Sequence, residues 1–180
     1  HAGEGQYKEA EIAIQKALRE RADRLDMNVE VSSNISKPEN VVSVDSGKVK
    51  SPEVYFGSAR NSLLSNGRSG ISGEQVFSLP SVISFNRLYL NGTWNMTSEY
   101  AENRSAGSIV FSYEAKNVYI TAGSAQGVEV EIYKDDVFVK KITIRDETLY
   151  PLIQDTDYGK HTLRIVVPKT ELQAFTFTFG

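Results

Sequence analysis

The chain has no cysteine, so by itself it can form neither a disulfide nor a thiolate, and thiol–disulfide exchange lies outside its chemistry. Its two histidines, His1 and His161, stand at opposite ends of the sequence, which argues against an ordinary zinc site. No apolar run approaches the roughly 20 residues that a membrane-spanning helix needs. Charge of one sign is lacking too: the net charge is −3 and the Lys and Arg residues are scattered, so no basic footprint for nucleic acid is present. There is a single tryptophan, Trp94. No Gly-x-Ser-x-Gly elbow occurs, and His161 beside Lys160 reads as a surface residue, so a serine hydrolase is not expected.

What is present is a chain of two characters. Tyr7, Ala10, Ile14, Ala17, Leu18 and Ala22 recur at three- and four-residue spacing, which predicts an amphipathic helix near the start. A lone helix cannot bury such a stripe by itself. Residues 27–50 are rich in Asn, Ser, Lys and Gly and read as a polar linker, with short extended pieces at 29–31 and 41–44. From there the pattern changes period. Val128, Val130 and Ile132 alternate with Glu129, Glu131 and Tyr133, and Phe175, Phe177 and Phe179 alternate with threonines up to Gly180. A period of two marks strands with one buried face.

Strands are expected at 75–79, 85–90, 93–96, 98–101, 107–115, 117–122, 128–134, 137–145, 148–153, 161–167 and 174–179. Loops are expected at 123–127 and 155–159, a hairpin turn at Lys134-Asp135-Asp136-Val137, and a long polar surface loop at 58–74. The density of strands points to a mainly β fold, a jelly-roll-like β-sandwich over residues 51–180, with one N-terminal helix.

Three stretches carry a family resemblance. His1-Ala2-Gly3-Glu4-Gly5-Gln6-Tyr7-Lys8-Glu9-Ala10-Glu11 resembles the lead into the last helix of a thioredoxin-like domain. Ser51-Pro52-Glu53-Val54-Tyr55-Phe56-Gly57-Ser58-Ala59-Arg60 resembles a Pro-Glu-x-Tyr-x-Gly motif followed by Arg. Ala174-Phe175-Thr176-Phe177-Thr178-Phe179-Gly180 resembles the same family's closing strand. Leu90-Asn91-Gly92-Thr93-Trp94 and Thr148-Leu149-Tyr150-Pro151-Leu152-Ile153 add weaker support. The family is that of DipZ-type proteins, connected with cytochrome c biogenesis, which join a redoxin-like domain to a carbohydrate-binding-module-like sandwich.

The resemblance implies that residues 1–26 are the last helix of a truncated thioredoxin-like domain, 27–50 a linker and 51–180 the sandwich. It also implies an extracytoplasmic, periplasmic or cell-envelope location. The family's Cys-x-x-Cys would lie upstream, so the longer parent is expected to be a thiol–disulfide oxidoreductase and this chain a non-catalytic accessory. Expected partners are a cell-wall or other polysaccharide and the upstream thioredoxin-like domain, with no nucleic acid and no membrane contact by this segment. The competing reading is a structural or protein-docking module without sugar binding.

Candidate ligand-binding residues follow from sugar chemistry, because aromatic rings stack on the apolar face of a pyranose while polar groups bond its hydroxyls. Trp94, Tyr100, Tyr119 and Tyr133 are the aromatic candidates. For Trp94 the favoured reading is that it plugs the sandwich core, because large aromatics dominate cores. Tyr119 and Tyr133 would form one patch if their strands pair. Arg60 could bond a sugar hydroxyl or a uronic acid carboxylate, or instead pin its loop through backbone carbonyls or a buried Glu. Asn61, Asn66, Arg68 and Glu74 are further loop candidates. Asp155 and Asp157 are candidate ligands for a structural Ca2+, against the alternative of a solvated acidic surface.

Overall fold

The computed structural model describes residues 7–27, 31, 32, 34 and 47–180. It divides into two compact units, His1–Val44 and Asp45–Gly180. The expected linker and its two extended pieces fall largely outside the described residues, as does most of the N-terminal motif.

The first unit carries α1, Tyr7–Arg24. Its stop is local. Asp26 takes a left-handed conformation (φ 50°), and the Met27 N–H donates to the Ala22 carbonyl at 2.9 Å, which satisfies a carbonyl the last turn would leave open. Arg21 and Arg24 complement the negative end of the helix dipole. Ile12, Ile14 and Leu18 of the helix remain exposed.

The second unit is mainly β, and every ladder between its strands is antiparallel. Its strands are β1 Val54–Tyr55, β2 Gly73–Phe77, β3 Leu88–Met96, β4 Ala101–Asn103, β5 Gly107–Gly123, β6 Val128–Lys134, β7 Val137–Ile144, β8 Thr148–Val167 and β9 Gln173–Phe179. They pair in the order β1-β9-β4-β3-β5-β8-β6-β7, with β2 on β3 and a further β9–β5 ladder. The pairs β3–β5, β5–β9, β9–β4 and β4–β3 form a closed circuit. The sheet folds over on itself, so the Phe111 ring lies 6.0 Å from Phe177 and 5.4 Å from Phe179. Between the layers sits one continuous core that includes Trp94, Phe56, Tyr113, Leu88, Ile120, Ile132 and Ile165.

Several expected breaks are absent. The stretches 107–115 and 117–122 are one strand, β5, and 148–153 and 161–167 are one strand, β8. The irregularities are absorbed by bulges. The register passes from Ala115↔Gly159 to Asn117↔Gln154, leaving Asp155 to Tyr158 looped out of the β5 ladder rather than ending β8. Likewise 85–90 and 93–96 merge into β3, while residues 98–100 form the turn before β4.

The hairpin at 134–137 is as expected. Asp135 (φ 51°) and Asp136 (φ 63°) both take positive φ, the geometry that a two-residue loop needs to match strand twist. Glycine adopts this conformation without the Cβ penalty. Asp136→Gly is therefore expected to stabilise the unit by about 1 kcal/mol and to raise the thermal midpoint by roughly 2–4 °C. The lost Arg164–Asp136 ion pair (3.0 Å) is largely solvent-exposed and offsets little. Differential scanning calorimetry reads the result directly.

Candidate functional site

The site grows from the junction of β1 with the turn that follows it. In β1, Val54 points inward and Tyr55 outward, by simple alternation. Gly57 makes the turn possible, because a Cβ there would come within 2.3 Å of the Glu99 carbonyl carbon. The chain then passes close to the β3–β4 turn, with Ser58 N–H donating to Thr97 O (2.8 Å) and Ala59 N–H to Ser98 O (3.2 Å). This brings Arg60 back over Tyr55, with its guanidinium carbon 3.7 Å from the ring centroid. The Tyr55 hydroxyl donates to Glu53. That bond above all, with burial and the Glu53 charge, pushes the phenol up, while Arg60 opposes the shift.

A cleft of about 590 Å³ opens here, lined among others by Pro52, Glu53, Tyr55, Arg60, Asn61 and Ser69. Its far wall is held by Asn61, whose Oδ1 accepts from Ser69 Oγ (3.1 Å) and Gly70 N–H (2.8 Å). Ser58 and Ser72 hydroxyls meet at 2.7 Å. The wall is built of satisfied polar bonds rather than loose loop.

Beside the cleft runs a sheet face. Tyr55, Thr176, Thr121 and Leu149 stand side by side across β1, β9, β5 and β8. In the next row Tyr119 stands between Thr178 and Pro151. Their strand neighbours Val54, Ile120 and Phe177 are buried, so this row and the next face outward. A bulge between Thr121 and Ala122 sets Phe175 aside, and its ring lies 5.1 Å from Tyr100. Both of these rings are half-buried. Two strand spacings separate the strands of Tyr55 and Tyr119, about 10 Å. Burial pushes the Tyr119 phenol up, so both tyrosines stay neutral near pH 7.

Arg60 and Tyr119 thus fall at the face that carries Tyr55, while Tyr100 packs against Phe175 at the β9 bulge; Tyr55 and Phe175 are the two that sequence reasoning passed over. Tyr55 was signalled by the alternation at Glu53-Val54-Tyr55-Phe56. Phe175 was hidden, because the bulge breaks the period of β9. The other expected residues lie elsewhere. Trp94 is 0% exposed, with its Nε1–H donated to Asn91 O at 2.9 Å, and no ligand can stack on it. Tyr133 does not share a patch with Tyr119, because β6 pairs with β7 and with the far part of β8, whereas Tyr119 pairs with β9 and the near part of β8. Tyr133 instead packs against Phe138 (5.6 Å) under the Arg164 guanidinium (4.5 Å) and donates to Glu131 at 2.7 Å. Arg60 does not pin its loop: among the described residues its side chain bonds no backbone carbonyl and no carboxylate.

The two acidic candidates are not placed for calcium. Asp155 Oδ1 pairs with Lys134 Nζ at 2.7 Å, and Asp157 accepts from Thr156 Oγ1 at 2.9 Å. Among the described residues, no group of three or more His, Asp or Glu side chains could hold a metal ion. Of the loop candidates, Asn66 bonds Leu90 on both sides of its amide (2.7 and 3.1 Å) and is a structural clamp.

Residues 51–180 match the family described as the thioredoxin-like C-terminal domain. The chain belongs to that family. Residues 51–180 are thus those of a thioredoxin-like C-terminal domain, the part that carries the Tyr55–Arg60 cleft. No curated protein matches the chain.

Among solved structures, one similar chain is a family two carbohydrate esterase from Clostridium thermocellum in complex with cellohexaose, at 15% identity and TM-score 0.48, covering 52% of this chain and 31% of that one. Another is a family two carbohydrate esterase from Cellvibrio japonicus, at 12% identity and TM-score 0.38, covering 61% and 31%. A third is a glycoside hydrolase family 43 arabinoxylan arabinofuranohydrolase from Bacillus subtilis in complex with cellotetraose, at 12% identity and TM-score 0.38, covering 83% and 30%. The thioredoxin-like C-terminal domain chain spans less than a third of each of these.

Proposed function

We propose that this chain is a non-catalytic, glycan-binding accessory module of an extracytoplasmic thioredoxin-like thiol–disulfide exchange protein of the DipZ type. The supporting observation is the outward face where Tyr55 and Tyr119 stand about two strand spacings apart with threonine hydroxyls between them. Flat rings offer stacking area at little entropic cost, and the hydroxyls supply the hydrogen bonds a sugar needs. The face is set by sheet register rather than by loops, so it is pre-organised. The absence of any thiol in the chain leaves redox chemistry to the parent, and tethering to a wall polymer would raise the local concentration of that chemistry.

The test is affinity electrophoresis or calorimetry against cell-wall polysaccharides. Tyr55→Ala and Tyr119→Ala are each expected to weaken binding at least 10-fold, in line with the loss of one stacked ring. Tyr133→Ala is expected to leave it unchanged. Equal losses from all three variants, or none, would defeat this assignment of the surface.

One observation favours a second reading, a protein-docking module. The start of β7 exposes Val137 (67%), Phe138 (51%) and Val139 (43%) in succession. A run of apolar side chains at a sheet edge is a common docking surface. Loss of parent-protein activity in Phe138→Ser, with glycan binding absent, would support that reading instead.

A further inference from the structure

The cleft beside Tyr55 holds an arginine without an ion-pair partner among the described residues. Among the described residues, Arg60 and Glu53 are the only ionisable groups on its wall besides the Tyr55 phenol. Glu53 is engaged, because its carboxylate accepts the Tyr55 hydroxyl. Arg60 is not. Its guanidinium carbon sits 3.7 Å from the centroid of the Tyr55 ring, and among the described residues its N–H groups donate to no protein acceptor. Among the described residues no carboxylate lies within 4 Å of it. An arginine so placed presents a planar fork that matches a carboxylate with two parallel hydrogen bonds. The tyrosine beneath restricts the side chain, so less freedom is lost when the fork is filled. The cleft volume, about 590 Å³, suits a ligand of one or two sugar rings.

We propose that this cleft binds the carboxylate of an acidic sugar, a uronic acid unit of a glycan, with Arg60 as the carboxylate-binding residue and Tyr55 as the platform that holds it. The proposal rests on the glycan-binding reading and names its ligand class. The neighbouring sheet face then carries the sugars that continue from the acidic unit.

The experiment is isothermal titration of the chain with trimers of galacturonate and of glucuronate, each compared with its methyl ester. Esterification removes the charge and leaves the rings. One acid trimer is expected to bind at least 10-fold more tightly than its ester. Arg60→Gln, its fold checked by an unchanged melting midpoint, is expected to abolish that preference, a loss of roughly 10- to 100-fold toward the acid, with the ester affected little. Tyr119→Ala should weaken acid and ester alike.

Acid and ester binding equally, with Tyr119→Ala weakening both, would overturn the acidic-sugar assignment and leave the glycan reading standing. No binding of any trimer or of any wall polysaccharide would overturn both. Acetate competing as strongly per carboxylate as the trimer would assign the site to a bare carboxylate and overturn the sugar.

Discussion

A chain shortened by residues 174–180 is expected to be unfolded at 25 °C, with a flat near-ultraviolet circular dichroism spectrum and no cooperative melt. Those residues make up nearly all of β9, which is hydrogen-bonded to β5 along one edge and to β1 and β4 along the other. Gly180 adds a clamp: its carbonyl accepts from Lys116 N–H (2.9 Å) and Asn117 N–H (2.6 Å), and its N–H donates to Asn117 O (3.0 Å). Phe177 is fully buried, with its ring 5.0 Å from Phe56 and 6.0 Å from Phe111. Emptying a site like Phe177 alone costs about 3–5 kcal/mol. Three strands would lose a partner as well, and each unpaired buried backbone group costs about 1–3 kcal/mol. The whole stability of a domain is about 5–15 kcal/mol, so the sum exceeds what the fold has. A shortened chain that still melts cooperatively would show that β9 is peripheral.

The second large effect is expected at Trp94. It is the largest fully buried side chain, on β3 between β2 and β4, with register partners Gln75 and Asn103. Trp94→Ala is expected to cost about 3–5 kcal/mol. Loss of the indole N–H also leaves Asn91 O without that partner. For a unit of this size the midpoint should fall by roughly 10–20 °C. Trp94→Phe keeps most of the volume and should fall by much less. Glycan affinity of the folded Trp94→Ala protein should match the parent chain. A selective loss of binding with an unchanged midpoint would return Trp94 to the ligand surface, against its complete burial.

How much of this was legible beforehand depended on whether the signal was local. The alternation of Val128, Val130 and Ile132 named core and surface correctly, because a strand's period is set by its own backbone. The Asp135-Asp136 turn was legible for the same reason. Bulges were not. Lys116 and residues 155–158 look like loop in isolation, yet they are bulges flanked by paired residues, and β5 and β8 run on through them.

Site residues followed the same division. Tyr119 was a candidate for a surface patch and stands on the outward face. Pairing it with Tyr133 required knowing which strands adjoin, which is long-range information. The Tyr55–Arg60 stack required the turn at Gly57, whose need for glycine comes from Glu99, far along the chain. Asp155 was one of two candidate calcium ligands set against a solvated acidic surface, and a lysine from another strand, Lys134, answers it.

The closed circuit of β3, β5, β9 and β4 has a consequence for how the protein is made. Translation delivers β1, β4 and β5 well before β9, and each of them then offers an unfilled edge. Until Phe177 and Phe179 leave the ribosome, those edges and the apolar faces behind them have no native partner, so the nascent unit is a client for holding chaperones and a hazard for edge-to-edge aggregation. Long-range pairings of this kind also close slowly. A ribosome stalled just before residue 174 would therefore carry a protease-sensitive chain, and emergence of β9 would convert it to a resistant one.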